Sequence, residues 1–194
     1  MMVSNRKRFV FVHIPKTGGS SIFRALSPYN DAPDTDENRH LELVEIYNRY
    51  GYLAGDSDGS AGELKKYFKF AFVRNPWDRV VSMYSYRLSN REIPPNLCFS
   101  EFVLKRRQYP FGMHREQVEL IEDQDGKIAL DFIGRLENLE KDWSTLQSRL
   151  GISSRLPHLK QTSHQHYQTY YNRELRDEIA GLYPRDIKTF GYRF

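Results

Sequence analysis

A short apolar run that ends at a glycine turn and leads into a helix is the feature that most constrains this fold. Residues 8–14 read RFVFVHI, an apolar, aromatic and β-branched run that is typical of a buried strand. The sequence PKTGG at 15–19 ends the strand, and residues 20–26 predict a helix with Ser20 or Ser21 as its cap or in its first turn. This segment therefore predicts a strand, a glycine loop and a helix in succession.

The same arrangement recurs in the middle of the chain. Residues 67–73 read YFKFAFV and predict a second buried strand. Asn75 and Pro76 follow it, and they suit the N-cap and the first position of a helix. Asp78 falls in the first helical turn, where a carboxylate favours the helix dipole, and an apolar stripe continues over 77–88. Two such units in one chain indicate parallel strands connected by helices.

The remaining pattern supports an α/β fold. Residues 128–133 predict a third strand after a turn at Asp125-Gly126. Further helices are expected at 40–50, 99–107, 137–150, 173–183 and 184–188. Alternating strands and helices predict a parallel sheet in a layered α/β domain, and ligands of such sheets bind at the carboxyl ends of the strands.

Bulk properties narrow the class of protein. A chain of 194 residues fits a single domain over 1–194, and its net charge of +4 suits an anionic ligand while being too small to indicate nucleic acid. Cys98 is the single cysteine, so we expect no disulfide and no zinc site, and no other spacing indicates a metal. No apolar stretch is long enough for a transmembrane helix or a signal peptide, which predicts a cytoplasmic protein.

The first turn has the composition of a phosphate-binding loop. Gly18 and Gly19 let backbone N–H groups close around a phosphate at a helix N-terminus, Lys16 adds a positive charge, and Ser20 and Ser21 add hydroxyl donors. The lysine precedes the glycines, unlike the lysine of nucleoside-triphosphate P-loops, so the loop suits one 5′-phosphate without magnesium. The alternative is an ordinary turn between strand and helix.

The second turn offers groups for another phosphate. Arg74 lies at the end of the second strand, and Ser82 lies about two helical turns later. A guanidinium fork and a hydroxyl group are both suited to a phosphate. The alternative is a structural ion pair within the segment or with a partner elsewhere, which we favour for Arg79.

These two segments, in this order, resemble those of the carbohydrate sulfotransferases. VHIPKTGGSSI resembles the loop of that family that binds the 5′-phosphosulfate, and FVRNPWDRVVSMY resembles its 3′-phosphate segment. FIGRLENLEKDW, LPHL and DIKTFGY are weaker similarities, and together the resemblance covers residues 8–194. It implies a three-layer sandwich with a central parallel sheet, similar to the P-loop NTPases, and an enzyme that uses 3′-phosphoadenosine-5′-phosphosulfate (PAPS) without a metal.

The resemblance also implies roles for single residues. Lys16 would contact the phosphosulfate bridge, Arg74 and Ser82 would hold the 3′-phosphate, and Arg135 would reach the nucleotide beneath a loop at 160–166. The residues expected to cradle the 5′-phosphate are Pro15, Thr17, Gly18, Gly19, Ser20 and Ser21.

His40 is the candidate general base, because family members carry a histidine at the start of a helix between the two phosphate segments. Its ordinary pKa near 6.5 suits proton removal at neutral pH. An exposed histidine without a catalytic role is the alternative, and His13 and Glu137 are the rival bases. His13 alternates with apolar neighbours and is expected to be a buried histidine, and Glu137 is expected to be structural.

The expected reaction is the in-line transfer of a sulfuryl group from PAPS to a hydroxyl group of a carbohydrate acceptor. Loops at 27–38, 51–62 and 89–113 are expected to shape the acceptor cleft, and the sequence fixes neither the acceptor nor the oligomeric state. The competing functions are a nucleotide-dependent kinase of similar fold and a non-enzymatic module that binds acidic glycans.

Overall fold

The computed structural model describes residues 1–55, 62–105, 115–157 and 165–194. In this part of the chain a sheet is formed by β1 (Met2–Ser4), β2 (Phe9–Val12), β3 (Phe68–Val73) and β4 (Phe132–Arg135), in the order β1-β2-β3-β4. β1 is antiparallel to β2, whereas β2, β3 and β4 are parallel. The predicted α/β class with a mainly parallel central sheet is therefore confirmed.

Helices account for most of the remaining regular structure. The α-helices are α1 (Gly19–Leu26), α2 (Leu43–Tyr50), α3 (Pro76–Ser89), α4 (Phe99–Leu104), α5 (Leu139–Leu150), α6 (Arg173–Leu182) and α7 (Pro184–Phe190). Short 3₁₀ turns connect several of them, including Leu136–Asn138 immediately before α5. The predicted helices are all present, although some begin or end at other residues.

The shifted boundaries have local causes. α2 begins at Leu43 rather than at residue 40, because Glu42 and Glu45 form a reciprocal capping box. β4 begins at Phe132 rather than at residue 128, because Ile128 forms an isolated bridge with Glu122 instead of joining the sheet. Residues 106–107 of the predicted helix over 99–107 lie outside the described residues.

The N-terminal strand β1 is the one strand that the sequence pattern did not predict. Met2, Val3 and Ser4 are fully buried, and they pair in register with Phe11, Val10 and Phe9. The apolar triplet MMV is the only signal for it, and it is shorter than the runs from which strands are predicted. Met2 joins the core, so this segment extends the sheet.

The chain divides into two compact units, and the first carries the sheet. It comprises Met1–Val73 and Gln117–Lys160. Alternate strand residues on one face of the sheet form a core with side chains of α1 and α5. The largest members of this core are Phe9, Phe11, Phe70, Phe72, Ile22, Leu26, Trp143 and Leu146. Burial of these aromatic and aliphatic side chains fixes both helices on that face.

The second unit is helical and comprises Arg74–Glu116 and Gln161–Phe194. Arg79 is fully buried, with its guanidinium 3.9 Å from the buried carboxylate of Asp186. The Trp77 indole donates to the carbonyl oxygen of Arg176, and the Tyr171 hydroxyl donates to that of Trp77, at 2.9 Å in both cases. Arg79 is thus a structural arginine paired elsewhere, as expected. The single domain over 1–194 stays a prediction.

None of the helices in the described residues is long and apolar enough to cross a membrane.

Candidate active site

The loop between β2 and α1 has the backbone shape of a phosphate-binding turn. Lys16 and Gly18 both have positive φ angles, of 67° and 80°. The buried hydroxyl of Thr17 donates to the carbonyl oxygen of Ile14 over 2.9 Å and so closes the loop on itself. Helix α1 then begins at Gly19 with Gly18 as its N-cap, so Ser20 and Ser21 lie in the first turn.

The two glycines are required by packing as well as by backbone shape. A Cβ atom on Gly18 would lie 2.7 Å from the Leu136 side chain, in addition to the left-handed backbone at that position. A Cβ atom on Gly19 would lie 1.9 Å from Nε2 of His13. The first turn of α1 therefore sits directly against the His13 ring, and no larger residue fits at Gly19 without displacing it.

The N-terminus of α1 is arranged to receive an anion. Its first turn contains no acidic residue, and no side chain in the described part of the chain caps it. The first N–H groups of a helix have no intrahelical acceptor and carry the positive end of the helix dipole. Ser20 is exposed and Ser21 is buried beside them. A phosphate or sulfate group is the kind of ligand that satisfies such groups.

His40 and His13 are in direct contact. Nδ1 of His40 lies 3.0 Å from the carbonyl oxygen of His13, and the two ring centroids are 4.5 Å apart. Because a carbonyl oxygen can only accept, Nδ1 of His40 carries the hydrogen. In the neutral ring the lone pair is then on Nε2, which is the arrangement that a general base needs.

The position of His40 differs from expectation in one respect. It lies in a turn ahead of α2 and not in the helix itself, because the capping box starts the helix at Leu43. Its side chain is exposed. His13 is the buried histidine that the sequence pattern indicates, at 7% exposure. Burial, together with the charges of His40 and Arg39, lowers the pKa of His13 well below its ordinary value, so the ring is neutral.

The segment after β3 is held by a fork between Arg74 and Asp78. Nε and Nη2 of Arg74 each lie 2.9 Å from a carboxylate oxygen of Asp78. The Asn75 side chain caps α3 by accepting from the amides of Trp77 and Asp78, as predicted. Ser82 is buried in the same helix. The Arg74–Asp78 pair is an ion pair within the segment, which is the structural alternative to phosphate binding that the sequence also allows.

Arg135 ends β4, at the same edge of the sheet as the loop after β2. The parallel strands pair Val12 with Ala71 and Val73 with Arg135, so their carboxyl ends share this edge. The Arg135 amide donates to Asp142 of α5 over 2.7 Å, and its side chain is partly buried. Glu137 is exposed in the following 3₁₀ turn. Of the loop at 160–166, residues 160–164 lie outside the described residues.

Comparison with known proteins decides the family. A model of the sulfotransferase family matches residues 1–193. The chain belongs to the sulfotransferase family. Carbohydrate sulfotransferase 12 of Mus musculus is 23% identical over 252 residues, which cover 99% of this chain and 59% of that protein. Carbohydrate sulfotransferase 10 of Xenopus laevis is 24% identical over 238 residues, which cover 100% of this chain and 67% of that protein.

A solved sulfotransferase structure confirms the fold. Mouse sulfotransferase SULT7A1 complexed with PAP superposes with a TM-score of 0.56 at 14% identity, covering 95% of this chain and 86% of that one. The expected sulfotransferase fold and family are thus confirmed. The chain spans 59% of the length of the mouse relative.

Proposed function

We propose that this sulfotransferase-family protein transfers a sulfuryl group from PAPS to a hydroxyl group of a carbohydrate. The proposal is supported mainly by the N-terminus of α1, which is suited to bind an anion and lies next to Lys16. A side chain at Gly18 or Gly19 in this turn would clash with its neighbours. The names of the relatives support a carbohydrate acceptor.

The loop after β2 is proposed to bind the donor's 5′-phosphosulfate. The amides at the start of α1 and the Ser20 hydroxyl would meet the 5′-phosphate. The Thr17 hydroxyl already donates to Ile14, so Thr17 would contribute its backbone and the closure of the loop. Lys16 would sit at the phosphosulfate bridge, where negative charge grows as the nucleotide leaves.

The segment after β3 is proposed to bind the 3′-phosphate. Asp78 engages two nitrogens of Arg74 and so sets the plane of its guanidinium, which is the group that matches a phosphate in a forked geometry. Ser82 and Arg135 would add contacts to the nucleotide. A 3′-phosphate distinguishes PAPS from ATP, so this segment would provide the selectivity for the donor.

The reaction follows from these assignments. The acceptor oxygen attacks sulfur in line with the bridging oxygen, a new S–O bond forms, and the S–O bond to the nucleotide breaks. Nε2 of His40 takes the acceptor's proton, and its Nδ1–H stays bonded to the His13 carbonyl group. Lys16 stabilises the charge on the departing phosphate. The products are the sulfated acceptor and 3′-phosphoadenosine-5′-phosphate.

Two measurements test the proposal. Calorimetry should detect binding of 3′-phosphoadenosine-5′-phosphate and much weaker binding of ATP, and radiolabelled PAPS should label a carbohydrate acceptor in a screen.

Lys16→Ala should lower turnover more than it lowers nucleotide affinity, because its charge acts mainly in the transition state. Binding of ATP in preference to the adenosine bisphosphate would overturn the assignment and favour a kinase.

A further inference from the structure

The first unit contains a cleft that none of the proposed donor residues lines. Its volume is about 670 Å³, within the usual range for small-molecule sites. Helix α2 contributes Tyr47 and Asn48, Lys69 of β3 and the preceding Lys65 form another side, and residues 123–125 and 129–131 complete the wall. Lys69 pairs with Val10 and precedes the end of β3 at Val73 by roughly 13 Å of strand, so the cleft lies toward the amino ends of the parallel strands.

Of the two ammonium groups in this cleft, that of Lys69 is internally satisfied, and that of Lys65 lies 5.8 Å from the centroid of the Tyr47 ring. The Lys69 ammonium group contacts the carbonyl oxygens of Lys65 and Tyr67 at 3.0 and 2.8 Å, and Oδ2 of Asp131 at 2.9 Å. An ammonium group has three N–H donors, so these three acceptors use all of them. Lys69 therefore builds the wall of the cleft and has no donor left for an anionic ligand.

The acidic part of the cleft is held in place and offers acceptors. Oδ1 of Asp123 accepts from the amides of Asp125 and Lys127, both at 2.9 Å. Among the described residues no donor contacts Oδ1 of Asp131, because its amide and ammonium bonds from Lys69 both reach Oδ2. Asp125 is exposed at the turn. Three carboxylates thus face two ammonium groups in a protein whose overall charge is +4.

Tyr47 lines the cleft beside these acceptors, although only 7% of its surface is exposed. Burial, and then the charges of Asp131 and Asp123, raise the pKa of its phenol above the ordinary value, so it stays a neutral donor. Asn48 adds an amide group that both donates and accepts. Carboxylate and amide acceptors beside the edge of an aromatic ring suit an uncharged ligand with many hydroxyl donors, and the excess of carboxylates over ammonium groups disfavours an anion.

We propose that this cleft is a binding subsite for an uncharged stretch of a saccharide chain. The inference rests on the proposed function, because it makes the cleft the second contact of the acceptor whose hydroxyl reacts at His40. Helix α2 connects the two places: His40 lies three residues before the start of the helix at Leu43, and Tyr47 lies four residues after that start, roughly 6 Å along the helix axis. An acceptor chain lying along α2 would engage both.

The test uses NMR on the ¹⁵N-labelled protein without nucleotide. Cellotetraose, maltotetraose and tetra-N-acetylchitotetraose, added as a mixture, should shift the amide signals of Tyr47, Asn48 and residues 123–131. Tetragalacturonate, which is anionic and of equal length, should leave those signals in place. If no uncharged tetrasaccharide moves these signals, or if tetragalacturonate moves them equally, the proposal is wrong.

A pair of charge reversals sharpens the result. Asp125→Lys should weaken binding of the uncharged tetrasaccharides about tenfold, which corresponds to one charge-assisted hydrogen bond, and should admit tetragalacturonate. Glu140→Lys makes the same change in charge at an exposed site of α5 outside the cleft. It should change neither the binding of the uncharged tetrasaccharides nor the exclusion of tetragalacturonate. With an active acceptor, Asp125→Lys should raise KM and leave kcat unchanged. Equal effects of the two variants would contradict a specific subsite.

Titration with 3′-phosphoadenosine-5′-phosphate separates the two proposals. A protein that binds this nucleotide but shows no saccharide shifts retains the proposed function and loses the subsite. A protein that binds saccharide in the cleft but not the nucleotide loses the proposed function, and with it the role of the cleft in sulfation.

Discussion

The two turns that follow β2 and β3 start their helices in opposite ways. Helix α1 has a left-handed glycine as its N-cap, no side-chain cap in the described residues and no acid in its first turn. Helix α3 has an asparagine cap, a proline at its first position and Asp78 in its first turn. In the described residues no side chain caps the N-terminal amides of the first helix, whereas the Asn75 side chain accepts from those of the second.

This difference indicates two ways to hold a phosphate. In the proposed site the backbone and the helix dipole would be the binding groups after β2, so the contacts would depend on glycine and on close packing. After β3 the N-terminus of the helix is already occupied, and the positive group is a guanidinium oriented by Asp78. We therefore expect substitutions in the first turn to act by changing backbone shape and packing, and substitutions in the second turn to act by removing a positive charge.

The largest effect is expected at the base that is anchored to the first turn. His40→Ala should lower kcat by about 10²–10⁴-fold, because proton removal by a positioned base contributes that much to the rate. Affinity for 3′-phosphoadenosine-5′-phosphate, measured by calorimetry, should not change, since the histidine is assigned to the acceptor. Turnover at the wild-type rate would move the base to another residue.

The next effect tests the charge in the second turn. Arg74→Gln should weaken 3′-phosphoadenosine-5′-phosphate binding by roughly 10–100-fold, the value of charge-assisted hydrogen bonds, and should barely affect adenosine 5′-phosphosulfate. Arg87→Gln removes an equal charge within α3 and serves as the control, because Arg87 lies 3.7 Å from Glu92 and is not assigned to the nucleotide. Equal losses for both nucleotides would contradict the assignment of Arg74 to the 3′-phosphate.

A stability measurement tests the packing of the first turn. Gly19→Ala should lower the free energy of unfolding in urea by about 1–3 kcal/mol, because its Cβ would overlap the His13 ring. Gly181→Ala is the matched control in α6, where nothing lies within 4 Å, and it should be neutral or stabilising by about 0.5–1 kcal/mol. In a protein that already carries His13→Ala, Gly19→Ala should cost less unfolding free energy, because the ring that it would overlap is gone. If the losses of the two single variants simply add in the double variant, the contact is disproved.

The smallest effect is a dependence of stability on pH. His13 is neutral when folded, with a lowered pKa, and binds a proton near pH 6.5 when unfolded. Below pH 6.5 the unfolded state therefore holds more protons, and stability should fall as the pH falls, by up to about 1.4 kcal/mol per pH unit. Urea unfolding at several pH values should show this loss, and His13→Gln should reduce the slope. An unchanged slope would mean that His13 is protonated in the folded protein.

Local patterns were sufficient to predict most of the architecture. The apolar runs at 8–14 and 67–73 contain the strands Phe9–Val12 and Phe68–Val73, which are mostly buried and apolar, as a strand covered on both faces requires. Asn75-Pro76 was identified as a helix start from its two residue types alone, and the structure confirms the cap. Strands and helix caps that depend only on neighbouring residues can therefore be predicted without any tertiary information.

The features that escaped prediction depend on contacts between distant residues. β1 exists because three residues pair with β2 and are buried by the rest of the unit. The partner of Arg79 is Asp186, more than a hundred positions later, and no local spacing indicates it. The bond from His40 to the His13 carbonyl and the contact of His13 with Gly19 likewise appear only when the loop is folded. The roles of the individual site residues stay predictions.

The sheet register has a consequence for how the protein forms. Phe9 pairs with Phe68, and Phe70 pairs with Phe132, so each parallel partner strand comes about 60 residues later in the chain. Pairings so remote in sequence are slow to form, because long loops must close before any contact compensates the lost entropy. During synthesis β2 emerges well before β3 and β4, and its apolar residues stay uncovered in the meantime. We therefore expect slow refolding, with losses to aggregation that decrease at lower protein concentration.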